Sequence, residues 1–225
     1  MSKTIFMLQY GDKYSPKDVN RVVVDTEGRY NYVVYTDDPD NANYISTVET
    51  VELKENFETF TKAIMLGETD RGQCLYLDLD VIIEKPNLDH LFSEDKPKIC
   101  KTWWKHEGFE REYGGGDFNS SVLSWNGTNA KEIYDDFIEN PDWFMCKWKG
   151  KDDRFLFWEH GDRFDVYPKR TIYSWMYGID YETDIAPRAR KFCEDASICL
   201  LNGNLDDKIN LRDDYFEMKK SINNA

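Results

Sequence analysis

Little in this chain speaks for covalent staples or for a polyanionic partner. Its five cysteines, Cys74, Cys100, Cys146, Cys193 and Cys199, form an odd set without a C-x-x-C pair, which argues against a disulfide framework or a cysteine zinc site. Three of them lie in apolar runs, where Cys behaves as a small hydrophobe, so reduced thiols in a cytoplasmic protein are expected. Lys and Arg number 29 against 43 Asp and Glu, and the formal charge of −14 lacks the clustered cations that hold a nucleic-acid backbone. No apolar run approaches the ~20 residues of a membrane span, and no secretory signal pattern opens the chain. No G-x-x-x-x-G-K-[ST] occurs, so a P-loop kinase is excluded.

What is there suffices for a folded domain. Hydrophobic residues make up 40% and aromatics 15% of 225 residues, too much apolar surface for a disordered chain. With no internal repeat, low-complexity stretch or linker, a single domain over residues 1–225 is expected.

Residues 4–9 form a short apolar run that breaks at Tyr10-Gly11 and reads as a buried strand. Ser15-Pro16 then supplies a cap hydroxyl and a first-turn proline for a helix carrying Val19, Val22 and Val23. Strands are predicted over 32–36 and 48–53, and Phe57, Phe60, Ile64 and Met65 recur at helical spacing before Gly67. Residues 74–83 are the most apolar run and read as one strand. Strand and helix thus alternate, the pattern of an α/β fold with a mainly parallel central sheet. Beyond it come a helical turn near 88–92, strands near Ile99 and over 120–125, a helix over 129–138 begun by Thr128, and a helical run over 154–159.

Within the apolar run stands Asp78-Leu79-Asp80. In an extended chain these side chains point the same way, and two like charges buried at a strand end call for a cation. Carboxylate oxygens select a hard ion, Mn²⁺ or Mg²⁺, which keeps positions open for substrate phosphates. Among so many carboxylates such triplets also arise by composition. Asp38-Pro39-Asp40, in a turn, is one, and the apolar flanks distinguish the other.

The ordered set Gln9-Tyr10-Gly11-Asp12-Lys13-Tyr14, Tyr35-Thr36-Asp37-Asp38, Thr61-Lys62, residues 75–83, Asn119-Ser120-Ser121-Val122 and Gly150-Lys151-Asp152-Asp153 resembles glycosyltransferases of the GT-A fold, in style those of family 8. The likeness runs over about residues 4–205. It implies a Rossmann-like nucleotide-diphospho-sugar transferase fold, with residues 1–125 as the donor half and 126–225 as the acceptor side. It further implies a metal held by Asp78 and Asp80, with Asp78 also touching the ribose of a nucleotide-sugar donor, a UDP-sugar being favoured. Tyr10, Gly11, Tyr14, Asp37 and Lys62 become donor-site candidates, Asn119 and Ser120 face the donor sugar, and Asp152 and Asp153 are the catalytic candidates beside an unidentified acceptor. Gly114-Gly115-Gly116 would permit close backbone approach, and Trp103, Trp104 and Trp175 are candidates for stacking on sugar rings.

The likeness departs at residues 200–206. Where the family places a metal-binding His and a diphosphate-binding Lys, this chain has Asn202 and Asp206, and none of His90, His106 or His160 stands in the matching order. An amide oxygen can ligate a hard cation, so Asn202 is the third metal candidate, and Lys208 can offset Asp206. Two other readings stay open: a degenerate member that binds a nucleotide sugar or glycan without turnover, and a haloacid-dehalogenase-type phosphatase with Asp78 as nucleophile.

Overall fold

The computed structural model describes residues 2–55, 57–105, 116–182, 191–202 and 205–223, with the side chains of 210–222 in the last stretch. The strands β1 (Lys3–Gln9), β2 (Asn31–Thr36), β3 (Val48–Glu52) and β4 (Gln73–Leu77) pair in parallel in the order β3-β2-β1-β4. The helix α1 (Pro16–Asp25) crosses from β1 to β2, and α2 (Thr61–Met65) precedes β4. β1 and β4 are buried along nearly their whole length, as central parallel strands with both faces covered must be. Ser15 begins α1 with a reciprocal capping box to Asp18, and Val19, Val22 and Val23 face the core.

Past β4 the sheet turns mixed. β7 (Phe118–Asn126) runs antiparallel to β4, β6 (Lys98–Lys101) antiparallel to β7, and the short β8 (Asp165–Val166) closes the edge parallel to β6. A second, three-stranded sheet holds β5 (Val81–Ile83), β9 (Ile172–Ser174) and β10 (Ile198–Leu200), in the order β5-β10-β9. The apolar run at 74–83 is therefore two strands in two sheets, joined by a turn at Asp78-Leu79-Asp80. The expectation of one continuous strand is corrected here: burial on both faces hides where the chain changes sheets.

Three helices follow β7, α3 (Lys131–Glu139), α4 (Pro141–Lys147) and α5 (Asp152–His160). The residue ahead of α3 is Ala130 rather than Thr128, and Asn140 caps α4 by accepting from Trp143 N. A ring cluster of Phe60, Phe137, Phe144 and Phe155 joins α2, α3, α4 and α5 beneath the sheet, with centroids 4.9 to 5.8 Å apart in the closest pairs. The helix α6 (Leu205–Asn223) packs Leu211 and Tyr215 against the second sheet. Most of the predicted loop at 106–117, Gly114 and Gly115 among it, lies outside the described residues, as do the side chains of Asp206 and Lys208.

Candidate active site

The carboxyl ends of β1, β2 and β4 lie side by side, so the residues following them converge on one edge of the sheet. That edge is where open parallel sheets gather ligands. After β1, Gly11 adopts φ +59°, and its amide donates to Asp37 Oδ2 at 2.8 Å after β2. Gln9 Oε1 accepts from Thr36 Oγ1 at 2.6 Å and from the Tyr44 hydroxyl, which ties the ends of β1 and β2 together. Tyr10 is partly buried. Burial, with Glu58, raises its pKa above the usual phenol value.

The aspartate pair divides its partners. Asp78 Oδ1 accepts from the Tyr76 hydroxyl at 2.6 Å and lies 3.2 Å from Lys62 Nζ. Asp80 is 5% exposed, and its Oδ2 accepts from the Tyr14 hydroxyl at 2.7 Å. Burial, reinforced by Asp80, pushes the Tyr14 phenol well above its ordinary value, so Tyr14 stays protonated as a donor and fixes that carboxylate.

Lys62 is the electrostatic hub. Its ammonium, 4% exposed, donates to Ser120 Oγ at 2.9 Å, sits 3.4 Å from Asp152 Oδ2 and lies 5.0 Å from the centroid of the Tyr76 ring. Burial works against the charged form, but Asp152 and Asp78, with Asp153 behind them, more than offset it and hold the lysine pKa above its usual value. In this structure the ammonium therefore bridges two carboxylates rather than projecting toward solvent. Lys62, Asp78, Ser120 and Asp152 form one cluster.

A second group surrounds an adjoining cavity of about 260 Å³, which Asn119, Asp153, Arg154, Lys151, Trp104 and Asn202 line. The two neighbouring acids at the start of α5 thus face different ways, Asp152 to Lys62 and Asp153 to the cavity. Burial and the charge of Asp152 raise the Asp153 pKa above the usual carboxylate range. Asn119 Oδ1 accepts from Ser121 N at 3.0 Å.

The second sheet brings Asn202 here. β10 pairs antiparallel with β5, Leu200 opposite Val81, and Asn202 follows two residues past the end of β10 and lines the cavity. Its Oδ1 is buried without a hydrogen-bond partner. Among the described residues no group of three or more His, Cys, Asp or Glu is arranged to hold a metal ion. Two carboxylates and one orphaned amide oxygen make an all-oxygen donor set, which suits a hard divalent cation. From behind the turn, the Leu79 carbonyl accepts from Arg21 Nη2 at 2.7 Å and from Arg212 Nη2 of α6 at 3.4 Å.

Trp175 is fully buried against Phe192 and Tyr215, which removes it from the candidates for sugar stacking. Trp103 donates through Nε1 to Tyr167 O and lines a separate cleft of about 600 Å³. Trp104 is 3% exposed, and its Nε1 is buried with no partner. Tyr44, Tyr76 and Arg154 joined the site without a signal in the sequence. Each is an ordinary residue in its local segment, and long-range packing alone gives it a role.

No protein-family model matches the chain. The uncharacterised protein R707 of Acanthamoeba polyphaga mimivirus is 39% identical over 61 residues, 26% of this chain, and the match spans about a fifth of that relative, 21% of its length. Among solved structures, the galactosyltransferase LgtC in complex with donor and acceptor sugar analogs superposes with a TM-score of 0.59 at 14% identity, covering 92% of this chain and 94% of that one. A glycosyltransferase involved in glycosylation of the major capsid of PBCV-1 gives 0.57 at 13% identity, with 94% and 99% covered. GlyE of Streptococcus pneumoniae gives 0.55 at 15% identity, covering 78% of this chain and 48% of that one. The chain has the GT-A fold of these glycosyltransferases.

Proposed function

We propose that this protein is a glycosyltransferase that moves a sugar from a nucleoside-diphosphate sugar, a UDP-sugar by preference, to an acceptor hydroxyl, with a divalent metal ion as cofactor. The observation that supports this reading is the turn at the carboxyl edge of the sheet, where the Tyr76 and Tyr14 hydroxyls hold Asp78 and the buried Asp80. Asp78, Asp80 and Asn202 would hold Mn²⁺ or Mg²⁺. When bound, the ion supplies positive charge against the leaving diphosphate.

The chain's own residues do the rest. Tyr14 and Tyr76 each fix one carboxylate of the pair by a hydrogen bond, so no reorganisation is needed when donor arrives. Lys62 neutralises Asp78 and Asp152 from behind, which lets acidic groups crowd one edge at tolerable cost. The ends of β1 and β2, with Tyr10, Gly11 and Asp37, form the shelf for the base and ribose. Asn119 and Ser120 position the sugar. Asp153, whose raised pKa makes it a better proton acceptor than a surface aspartate, faces the cavity and takes the proton from the acceptor hydroxyl.

Incubation with a panel of UDP- and GDP-sugars and Mn²⁺ tests this. Metal-dependent release of the nucleoside diphosphate is the expected result. The amide at the third donor position, where a His is otherwise expected, favours a second reading, binding of the nucleotide sugar without turnover. Saturable binding with no release would establish that one. Phosphate release from simple phosphomonoesters would overturn both.

A further inference from the structure

The cavity lined by Asn119, Asp153 and Asn202 holds an arginine that differs from the other described arginines. Among the described residues, Arg21, Arg29, Arg71, Arg163, Arg170 and Arg212 each pair with a carboxylate. Arg154, partly buried at the cavity wall, makes no such pair although the chain carries 43 Asp and Glu. Asp153 beside it in sequence accepts from the Arg154 backbone amide at 2.9 Å, and the charges acting on Asp153 are those of Asp152, Lys62 and Lys151. Lys151 lines the same cavity. A cation left without a protein partner in so acidic a molecule is positioned for a ligand's charge.

A second, independent observation points the same way. Trp104, 3% exposed, lines the same cavity, and its indole Nε1 is buried and unpartnered. A buried N–H without an acceptor is costly, and a ligand oxygen removes that cost. At about 260 Å³ the space falls below the ~300–1,000 Å³ common for whole small-molecule sites, a size for one ring rather than for an entire nucleotide sugar.

We propose that this cavity recognises an anionic sugar, a hexuronate whose carboxylate pairs with the Arg154 guanidinium while a ring oxygen or hydroxyl accepts from Trp104 Nε1. The planar guanidinium matches a carboxylate in two parallel hydrogen bonds, which a neutral hydroxymethyl group cannot supply. The inference rests on the reading that the substrates are sugars, and it narrows them to a charged class. The hexuronate enters either as the transferred sugar of the donor or as the acceptor.

The test follows the Trp104 indole N–H resonance of the ¹⁵N-labelled full chain, assigned by its disappearance in Trp104→Phe, in the presence of Mg²⁺. UDP, UDP-glucose, UDP-glucuronate and, with UDP present, methyl glucoside and methyl glucuronide are titrated in turn. A glucuronate form is expected to shift the resonance at about 10- to 100-fold lower concentration than its neutral counterpart, the scale of a charged hydrogen-bonded contact. Arg154→Gln should level the two while melting with wild type, since no protein partner is lost, and Arg154→Lys should keep part of the preference. A preference seen with UDP-glucuronate assigns the hexuronate to the donor, and one seen with methyl glucuronide assigns it to the acceptor. The proposal is overturned if no glucuronate moves the resonance, if the preference survives Arg154→Gln, or if that variant weakens UDP alone by the same factor, which would give Arg154 to the diphosphate. A chain that ignores UDP yet prefers methyl glucuronide to methyl glucoside loses the transferase reading and keeps this one.

Discussion

Replacing Lys62 by methionine keeps most of the side-chain volume and removes the only cation held between Asp78 and Asp152 among the described contacts. Breaking a buried ion pair by deleting one partner costs about 3–5 kcal/mol, because the other charge is left behind in low dielectric. Asp152 is 9% exposed at its side chain and takes nearly the full penalty, whereas Asp78, at 23%, is partly relieved by water. The low end, about 3 kcal/mol, is therefore expected. For a chain of this size that corresponds to a fall in Tm of about 6–12 °C. The lysine pKa is raised in the fold, so its contribution is fully present below the unfolded value of about 10.4 and is lost only as pH climbs through the higher folded value. The deficit of the variant should accordingly be flat from about pH 6 to about pH 9. Urea denaturation of wild type, Lys62→Met, Asp152→Asn and the double variant completes a thermodynamic cycle. The double variant should regain stability over Lys62→Met, since the stranded charge is gone. A loss below about 1 kcal/mol in Lys62→Met, or strict additivity in the double variant, would refute the assignment of Lys62 as the hub.

Asp80→Ala strands the Tyr14 hydroxyl at a cost of about 1–3 kcal/mol, should leave the chain folded, and should reduce metal-dependent nucleoside diphosphate release by at least about 100-fold; turnover close to wild type would remove the metal site from Asp78 and Asp80. Asp153→Asn should cut turnover by about 10²–10⁴-fold, the usual worth of a positioned proton acceptor, and should stabilise the fold at neutral pH. The sign follows from the raised carboxyl pKa: ionising Asp153 costs stability above its folded value, and the gain in the variant fades as pH falls through that value and is gone below the ordinary carboxylate value of about 3.9. Gly116→Ala places a Cβ 2.5 Å from the Phe157 ring, which is itself wedged edge-on against Phe118 at 5.1 Å, so a loss of about 1–3 kcal/mol in chemical denaturation is expected.

The amino-terminal, parallel half of the fold was legible because its signals are local. Ser15-Pro16 begins α1, the Val19, Val22 and Val23 face is buried, and the strands after Asn31 and before Leu53 fall where their apolar patterns lie. What escaped depends on contacts far apart in the chain. Nothing in the run at 74–83 marks the change of sheet, because β4 and β5 are equally apolar and the break is set by β10, which pairs with β5 from over a hundred residues away. Lys62 was a donor-site candidate by resemblance, but nothing in its segment announces that Asp152, ninety residues on, stands beside it. The partition of Asp152 and Asp153 between hub and cavity is likewise a matter of how α5 docks, for which two adjacent acids carry no cue.

The two arginines on the Leu79 carbonyl bear on the order in which the protein is made. Arg21 is present early in synthesis, but Arg212 arrives 133 residues after Leu79, and Lys219 of the same helix pairs with Glu84 at the far end of β5. A chain emerging amino end first can build the β3-β2-β1-β4 core long before α6 exists to brace the turn between the two aspartates. The parallel strands are thus an early product of folding and the braced aspartate turn a late one, so an intermediate lacking α6 would hold β1 to β4 together before Asp78 and Asp80 are fixed.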